Sequence, residues 1–223
     1  METCGKTAKY SGIKNLLFDL GGVIMDIERG RCVQSLTRLG MDARAVDEML
    51  GLYVQQGAFK QLEAGQISPA EFYTELRRHF AGGGRDVTDR QLEAALNDFL
   101  VGIPVHRLVE LRMLRRTFMV YMLSNTNPIM MESKIAHCFR AEGLEMDSYF
   151  DGTVLSYKAR CLKPGREIFD YAIGRLGIVP DETLFLDDSQ KNIDAAAALG
   201  FATALVPPGT EFIDALSCIS LDE

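Results

Sequence analysis

Hydrophobic residues gather in short continuous runs, which predict strands buried on both faces. The runs are Ile13–Leu20, Phe118–Leu123, Thr183–Leu186 and Ala202–Val206, with Gly152–Leu155 as a weaker fifth. Continuous rather than alternating hydrophobicity is expected of a parallel sheet covered by helices. Apolar residues between the runs recur at helical spacing, as in Val105, Leu108, Leu111 and Leu114 and in Ile168, Tyr171, Ala172 and Leu176. The pattern predicts an α/β protein with a Rossmann-like, doubly wound parallel sheet.

The stretch from residue 28 to residue 100 shows helical patterns and no convincing strand. Gly40 follows an apolar helix face and suits a helix C-terminus. Ser68-Pro69-Ala70-Glu71 and Thr88-Asp89-Arg90-Gln91 have the form of capping boxes that begin helices. Gly82-Gly83-Gly84 predicts a flexible link between those two helices. We predict a helical-bundle domain at 28–100, called the helical insertion below, within an α/β core made of 1–27 and 101–223.

Charge and cysteine content limit the partners of the chain. The net charge of -7 does not favour nucleic acid as a partner. The five cysteines are scattered without a CxxC pair, which indicates thiols in a reducing compartment, so we expect a cytoplasmic protein. The first dozen residues lack the apolar stretch of a signal peptide, and no later run is long enough to span a bilayer. A monomer is expected, since core and insertion can cover each other.

Polar residues follow the predicted strands at the edge where ligands collect in open α/β sheets. They are Asp19 after the first strand, Ser124 and Asn125 after the second, Lys163 in a later loop, and Asp187 and Asp188 after the third main run. Carboxylates of this kind can hold Mg²⁺, and a lysine with hydroxyl and amide donors can hold phosphoryl oxygens. One carboxylate can attack phosphorus. The set therefore predicts phosphoryl transfer from a small phosphorylated substrate.

Each of these residues also has an ordinary structural interpretation. An aspartate after a buried strand is most often a turn former or a helix cap. Adjacent Asp187 and Asp188 are harder to explain in that way, because two like charges repel unless a positive group binds them. The order of the whole set along the chain is more specific than any single member.

The ordered set resembles the haloacid dehalogenase superfamily over nearly the whole chain. The four segments that carry the resemblance are Phe18-Asp19-Leu20-Gly21-Gly22-Val23, Leu123-Ser124-Asn125, Leu162-Lys163-Pro164 and Phe185-Leu186-Asp187-Asp188. The helical insertion is similar to the C1 cap of subfamily I. Within the superfamily the likeness is greatest to the bacterial glucose-1-phosphate phosphatase branch, on Asp19-Leu20-Gly21, Ser124-Asn125-Thr126-Asn127 and Glu63-Ala64-Gly65-Gln66-Ile67-Ser68.

The resemblance implies a role for each site residue. Asp19 would be the nucleophile and a Mg²⁺ ligand. Asp188 and the carbonyl of Gly21 would complete the metal site, with Asp187 as a further ligand or beside it. Lys163 would bridge Asp19 and the phosphate, and the phosphoryl group would bind Ser124 and the Asn125 amide. These roles describe a Mg²⁺-dependent phosphatase that works through an aspartyl-phosphate.

Gly21 departs from the pattern of the superfamily. Most of its phosphatases carry an aspartate there, which protonates the leaving group and later activates water. Its absence removes general acid–base catalysis worth about 10²–10⁴-fold. We therefore expect a preference for esters with acidic leaving groups. Asp26 is interpreted as a helix cap rather than a substitute acid, while Glu28 and Glu63 are acids that can approach the site from the insertion.

Two alternatives remain open from the sequence. Gly21 also suits a catalytically weakened phosphate- and metal-binding regulatory protein, although such a protein would not need Asp19 as a nucleophile. A 2-haloacid dehalogenase is less favoured, because it needs no metal and the Asp187-Asp188 pair would stay unexplained.

Overall fold

A five-stranded parallel sheet forms the centre of the fold. The computed structural model describes residues 10–51, 56–80 and 86–219. The strands of the sheet are β1 (Asn15–Phe18), β4 (Met119–Ser124), β5 (Gly152–Leu155), β6 (Thr183–Asp187) and β7 (Ala202–Leu205). Their order is β5-β4-β1-β6-β7, so β1 lies at the centre and the chain winds outwards in both directions. All five predicted strands and the doubly wound α/β fold are confirmed.

Helices cover both faces of this sheet and make up most of the helical insertion. Those of the insertion are α1 (Arg29–Arg38), α2 (Ala43–Leu50), α3 (Gly57–Glu63), α4 (Pro69–Arg77) and α5 (Asp89–Asn97). The others are α6 (Val105–Leu114), α7 (Pro128–Met130), α8 (Ala136–Phe139), α9 (Ser156–Ala159), α10 (Arg166–Leu176), α11 (Gln190–Ala197) and α12 (Phe212–Ala215), with a π-helical turn at Met131–Ile135. Short 3₁₀ turns occur at Arg140–Glu142, Met146–Ser148, Pro180–Glu182 and Leu216–Cys218.

The helix ends of the insertion follow the signals in the sequence. Ser68 and Glu71 form a reciprocal capping box at the start of α4, and Thr88 and Gln91 form a second at the start of α5. Each box satisfies two backbone N–H groups that a helix start would leave free. Gly40 follows α1 with a φ of 98°, a conformation that glycine adopts without strain. The predicted link at Gly82-Gly83-Gly84 lies outside the described residues.

Continuous hydrophobicity in the strands is explained by two separate apolar clusters on the two faces. In β1, Leu16 and Phe18 pack on the face shared with the helical insertion, and Leu17 between them packs on the opposite face. Side chains alternate along a strand, so a strand covered on both sides must be apolar at every position. Two residues of the apolar patterns at helical spacing are exposed: Val105 by 54% and Tyr171 by 42%.

A two-stranded ribbon that the sequence did not predict joins the insertion to the core. It pairs β2 (Asp26–Ile27) with β3 (Leu100–Gly102), so both chain crossings lie side by side. These strands have two and three residues, which is too short for a periodic pattern. The ribbon lies at the predicted boundaries of 27/28 and 100/101.

Asp26 serves this junction rather than a helix end. Glu28 is the N-cap residue of α1, and it makes no side-chain capping bond, so the capping interpretation of Asp26 is wrong. The Asp26 carboxylate instead pairs with the buried Arg107 of α6 at 2.7 Å. Arg107 also binds the Ile24 carbonyl at 3.2 Å and Glu211 at 2.7 Å. One guanidinium thus holds the entry to the insertion against two parts of the core.

Candidate active site

The carboxyl ends of the three central strands bring the predicted site residues together. Asp19 follows β1 directly, Ser124 ends β4, and Asp187 ends β6. Because β4 and β6 flank β1 in parallel register, these three positions lie at the same edge of the sheet. Asp19, Asp187 and Asp188 each offer an oxygen within 4.8 Å of the others. The edge therefore carries a compact group of three carboxylates.

Lys163 is the positive centre of this group. Its ammonium nitrogen lies 2.8 Å from Asp19 Oδ1 and 2.7 Å from Asp187 Oδ2, and its side chain is almost fully buried. The loop that carries it is fixed by Asn125, whose side-chain amide donates to the Lys163 carbonyl at 3.0 Å and accepts from the Lys163 N–H at 2.9 Å. Asp19 Oδ1 also accepts from the Leu20 N–H at 2.6 Å. These bonds determine the orientation of the Asp19 carboxylate.

The two adjacent aspartates occupy different environments. Asp187 is fully buried, and its oxygens accept bonds from Lys163 at 2.7 Å, the Ser189 N–H at 2.8 Å and Asn192 at 2.9 Å. Asp188 is partly exposed, and no side-chain hydrogen bond reaches its carboxylate from the part of the chain that the structure describes. Asp187 is therefore committed to holding Lys163, while Asp188 keeps its oxygens available.

Three acids surround one lysine, and the pKa values of two of these acids are raised. Burial raises the pKa of Asp19 to about 8, with Lys163 opposing the rise and the charges of Asp187 and Asp188 adding to it. Burial and the charge of Asp187 raise the pKa of Asp188 to about 6. Burial works to lower the pKa of Lys163, but the neighbouring Asp187 and Asp19 outweigh it and raise that pKa above its ordinary value. The donor set, carboxylate oxygens in excess of one ammonium, is suited to a hard divalent cation.

The turn after Asp19 depends on glycine. Gly22 has a φ of 79°, and a Cβ at this position would lie 2.3 Å from Asp188 Oδ2. Its N–H donates to the Met25 carbonyl at 2.8 Å, which closes the turn tightly against the end of β6. At Gly21 a Cβ would meet only Ile27, at 3.7 Å. There is therefore space for a Cβ at Gly21, whereas there is none at Gly22.

The second strand end supplies polar groups in a fixed frame. Ser124 is buried at the end of β4, and among the described residues its hydroxyl makes only a long contact of 3.4 Å, with the Asn125 carbonyl. The side-chain amide of Asn125 is taken up by Lys163, so its backbone N–H is the amide group left for a ligand. Ser156, which sequence reasoning missed, lies at the start of α9 and accepts from the Thr126 N–H at 2.9 Å. A lone serine after a weak strand carries no signal that would have identified it.

Of the two acids of the insertion that the sequence allowed to approach the site, the structure brings only Glu63 near it. Glu28 is exposed and pairs with Arg31 at 2.6 Å. Glu63, the last residue of α3, is 7% exposed and senses the charges of Asp19 and Lys163. The sequence could not distinguish the two residues, because their positions depend on how the insertion packs against the core.

Comparison with known proteins agrees with this geometry. The haloacid dehalogenase-like hydrolase family matches residues 13–200. A D-ribitol-5-phosphate phosphatase of Bacteroides thetaiotaomicron is 38% identical over 208 residues, which is 93% of this chain and 98% of the relative. A crystal structure of a family enzyme from the same organism, with magnesium and inorganic phosphate, has a TM-score of 0.82 at 39% identity and covers 90% of this chain and 97% of that chain. A hydrolase structure from Porphyromonas gingivalis has a TM-score of 0.83 at 34% identity, over 92% and 96%.

These findings confirm the predicted family and the predicted enzyme class, a phosphoric monoester hydrolase. The predicted cofactor, Mg²⁺, is the metal held by the solved relative with phosphate. A family match over 188 of 223 positions, together with the ordered carboxylates and lysine at one sheet edge, leads to one conclusion. The chain belongs to the haloacid dehalogenase-like hydrolase family.

Proposed function

We propose that this protein is a Mg²⁺-dependent phosphatase of a small phosphorylated polyol or sugar, acting through an aspartyl-phosphate at Asp19. The observation that carries the proposal is the placement of Lys163 between Asp19 and Asp187, at 2.8 and 2.7 Å, beside the available carboxylate of Asp188. The buried ammonium of Lys163 orients the Asp19 carboxylate and favours its ionised form against the burial that raises its pKa, and a nucleophile requires that form.

Asp19, Asp188 and the Gly21 carbonyl are the groups to which we assign the magnesium ion. Asp187 was predicted as a further ligand or as a neighbour, and its saturated hydrogen bonds favour the second role. When bound, Mg²⁺ would offset the negative charge of the phosphoryl group and polarise its oxygens. The raised pKa values of Asp19 and Asp188 support this assignment, because a cation would offset the burial of both carboxyl groups and the repulsion from neighbouring carboxylates.

The remaining groups of the edge bind the phosphoryl oxygens and carry the reaction. Lys163, the Ser124 hydroxyl and the backbone N–H of Asn125 are donors positioned around Asp19. A carboxylate oxygen of Asp19 forms a bond to phosphorus as the bond to the ester oxygen breaks. Water then attacks phosphorus, releases inorganic phosphate and returns Asp19 as a carboxylate.

The class of substrate follows from the relative that acts on D-ribitol 5-phosphate. Similarity at 38% identity over 93% of the chain favours a phosphorylated polyol or sugar of that size. Contacts with its hydroxyl groups would come from the helical insertion, which we propose to be a separate cap domain over residues 28–100.

Phosphate release from a panel of phosphorylated polyols and sugars, with and without Mg²⁺, tests this function. We expect release that needs Mg²⁺ and is lost in Asp19→Asn by about 10⁴-fold or more, as when other covalent nucleophiles are removed. Asp181→Asn, at an exposed aspartate, is the matched control and should keep full activity. Activity that survives in Asp19→Asn would exclude the aspartyl-phosphate.

Gly21 is the one observation that favours a second function, a weakened regulatory protein that binds phosphate and metal. In that case the wild type would bind Mg²⁺ and inorganic phosphate but cleave no member of the panel. A dehalogenase is disfavoured, because the acids beside Asp19 would repel a carboxylate substrate.

We propose a cytoplasmic monomer. The thiols of Cys32, Cys138 and Cys161 are free, which supports a reducing compartment. No helix in the described parts of the chain is long and apolar enough to cross a membrane. Sedimentation of the purified protein would test the monomer, and a dimer would contradict it.

A further inference from the structure

Glu63 is a buried acid in a part of the molecule that otherwise buries apolar side chains. Of the described residues of the helical insertion, it is the only charged one that is buried, at 7% exposure. No hydrogen bond or ion pair links its carboxyl group to another described side chain. Burying most of a carboxyl group without such partners costs free energy. Neither Glu63 oxygen is among the fully buried side-chain atoms that lack a partner, so the carboxyl keeps some contact with solvent.

The backbone at Glu63 is fixed to the loops of the catalytic edge. The Ser156 hydroxyl lies 2.7 Å from the Glu63 carbonyl, and the same hydroxyl accepts from the Thr126 N–H, two residues after Ser124. Gly65 follows with a φ of 62°, and a Cβ there would lie 2.1 Å from the Tyr157 carbonyl. The end of α3 therefore packs directly on the core beside the phosphoryl-binding groups.

Electrostatics place the Glu63 carboxyl close to the nucleophile. Burial raises its pKa to about 8, the negative charge of Asp19 adds to the rise, and the positive charge of Lys163 lowers it. Both site residues are therefore near enough to act on Glu63. Asp19 forms an ion pair with Lys163 at 2.8 Å, whereas Glu63 forms none with any described residue, so burial favours the protonated form of Glu63.

The reaction needs a proton carrier that the sheet edge does not provide. An alkoxide leaves poorly unless it is protonated, and a polyol 5-phosphate releases an alkoxide. Gly21 has no side chain, Asp187 is saturated by hydrogen bonds, and Asp188 is assigned to the metal. Among the described residues, Glu63 is the remaining acid that is close enough to interact electrostatically with Asp19.

Building on the proposed function, we propose that Glu63 is the general acid and base of this phosphatase. Its carboxyl group gives a proton to the ester oxygen as Asp19 takes the phosphoryl group, so the alcohol leaves neutral and Glu63 becomes a carboxylate. That carboxylate accepts a proton from the water that attacks the aspartyl-phosphate. Phosphate is released, Asp19 leaves as a carboxylate, and Glu63 is protonated again.

Esters with different leaving groups test the assignment in Glu63→Gln. With Mg²⁺ and D-ribitol 5-phosphate, we expect kcat/KM to fall about 10²–10⁴-fold, mainly through kcat. With 4-nitrophenyl phosphate kcat/KM, which reports the first step, should fall much less, because the phenolate leaves without a proton. The second step would then be slow, so a burst of 4-nitrophenol and a phosphorylated Asp19 peptide are expected. Glu48→Gln, at an exposed acid of the insertion, is the matched control and should match the wild type with both esters.

An equal loss of kcat/KM with both esters, or a change in KM alone, would overturn the role of Glu63. Asp19→Asn separates this failure from that of the proposed function, because it should abolish cleavage of both esters. A wild type that cleaves neither ester overturns both proposals. Thermal unfolding with Mg²⁺ shows whether the glutamine variant is folded, and Glu63→Asp, which keeps a carboxyl group, replaces it if it is not. The aspartate variant should show the same contrast between the esters.

Rescue at Gly21 is the sharpest test. A Cβ at Gly21 would meet only Ile27, at 3.7 Å, and the φ of Gly21 is not left-handed, so neither the backbone nor the space around the Cβ opposes a substitution. Gly21→Asp in the Glu63→Gln background should raise kcat/KM for D-ribitol 5-phosphate at least tenfold above that of Glu63→Gln alone. No restoration, with the protein folded and 4-nitrophenyl phosphate still cleaved, would contradict the missing proton carrier as the cause.

Discussion

The catalytic edge of the sheet and the helical insertion bury polar groups in different ways. At the edge, Asp19, Lys163 and Asp187 are buried together, and each holds another in place. In the described part of the insertion, Glu63 alone is a buried charged residue, and its carboxyl has no described partner. A network in which every group is paired is rigid, whereas an unpaired acid is free to exchange a proton. In the proposed mechanism, the edge therefore binds and transfers the phosphoryl group, and the insertion transfers the proton.

Removing Lys163 should reveal the largest difference in stability between the two regions. Without Mg²⁺, Lys163→Met leaves buried aspartates unpaired and should lower the free energy of unfolding by about 3–5 kcal/mol. Arg29→Met breaks the Arg29–Asp47 pair of the insertion, which is partly exposed, and should cost at most about 1 kcal/mol. Urea unfolding measures both variants. Equal costs would mean that the edge is no more strongly coupled than the insertion.

The proposed assignment gives the two adjacent aspartates different roles, with Asp187 holding Lys163 and Asp188 binding the metal. At a Mg²⁺ concentration 100 times its Kd, the wild type should gain about 2.7 kcal/mol of stability. Asp188→Asn should lose most of that gain while staying as stable as the wild type in EDTA. Asp187→Asn should be destabilised in EDTA, because Lys163 loses a partner at 2.7 Å. Denaturant unfolding with and without Mg²⁺ checks the pair, and the reverse pattern would exchange their roles.

Substituting two glycines with positive φ distinguishes the effect of backbone strain from the effect of a clash with Asp188. Gly22→Ala and Gly40→Ala both force a side chain into the left-handed region, at about 1–3 kcal/mol each. Only at Gly22 does the new Cβ meet Asp188, whereas nothing lies within 4 Å at Gly40. We therefore expect weaker Mg²⁺ binding by calorimetry in the Gly22 variant alone. Equal Mg²⁺ affinity in the two variants would contradict a metal site at Asp188.

Removing a charge at the junction between the two regions should change stability least, and the size of that change should depend on pH. The hydrogen bond from Arg107 lowers the pKa of Glu211 to about 2, below its ordinary 4.5. Since the folded pKa is the lower one, the stabilisation is present above pH 4.5 and lost as the pH falls towards 2. Glu211→Gln should cost less than about 1 kcal/mol at pH 6, because Glu211 is 38% exposed. Unfolding from pH 6 to pH 2 should show the variant and the wild type converging, and a constant difference would contradict this linkage.

The sequence predicted the sheet and the candidates at its edge, but some contacts were beyond its reach. Continuous apolar runs and capping boxes are local signals, and they located the five strands and the starts of α4 and α5. Asp26 shows the limit. Its carboxylate pairs with Arg107, 81 positions away, so its position before a helix suggested capping instead. The β2–β3 ribbon was missed for the same reason, since its partners are far apart in the chain.

The amino-acid sequence by itself determined the doubly wound sheet, the helical insertion as a segment without long strands, and the order of the acids and the lysine at the strand ends. These follow from hydrophobic periodicity and from the rule that ligands meet the carboxyl ends of parallel strands. Tertiary structure decided which of two adjacent aspartates holds Lys163, and which acid of the insertion lies beside Asp19. Both depend on burial and on contacts between distant segments, which determine how a carboxyl group is solvated and so what chemistry it can perform.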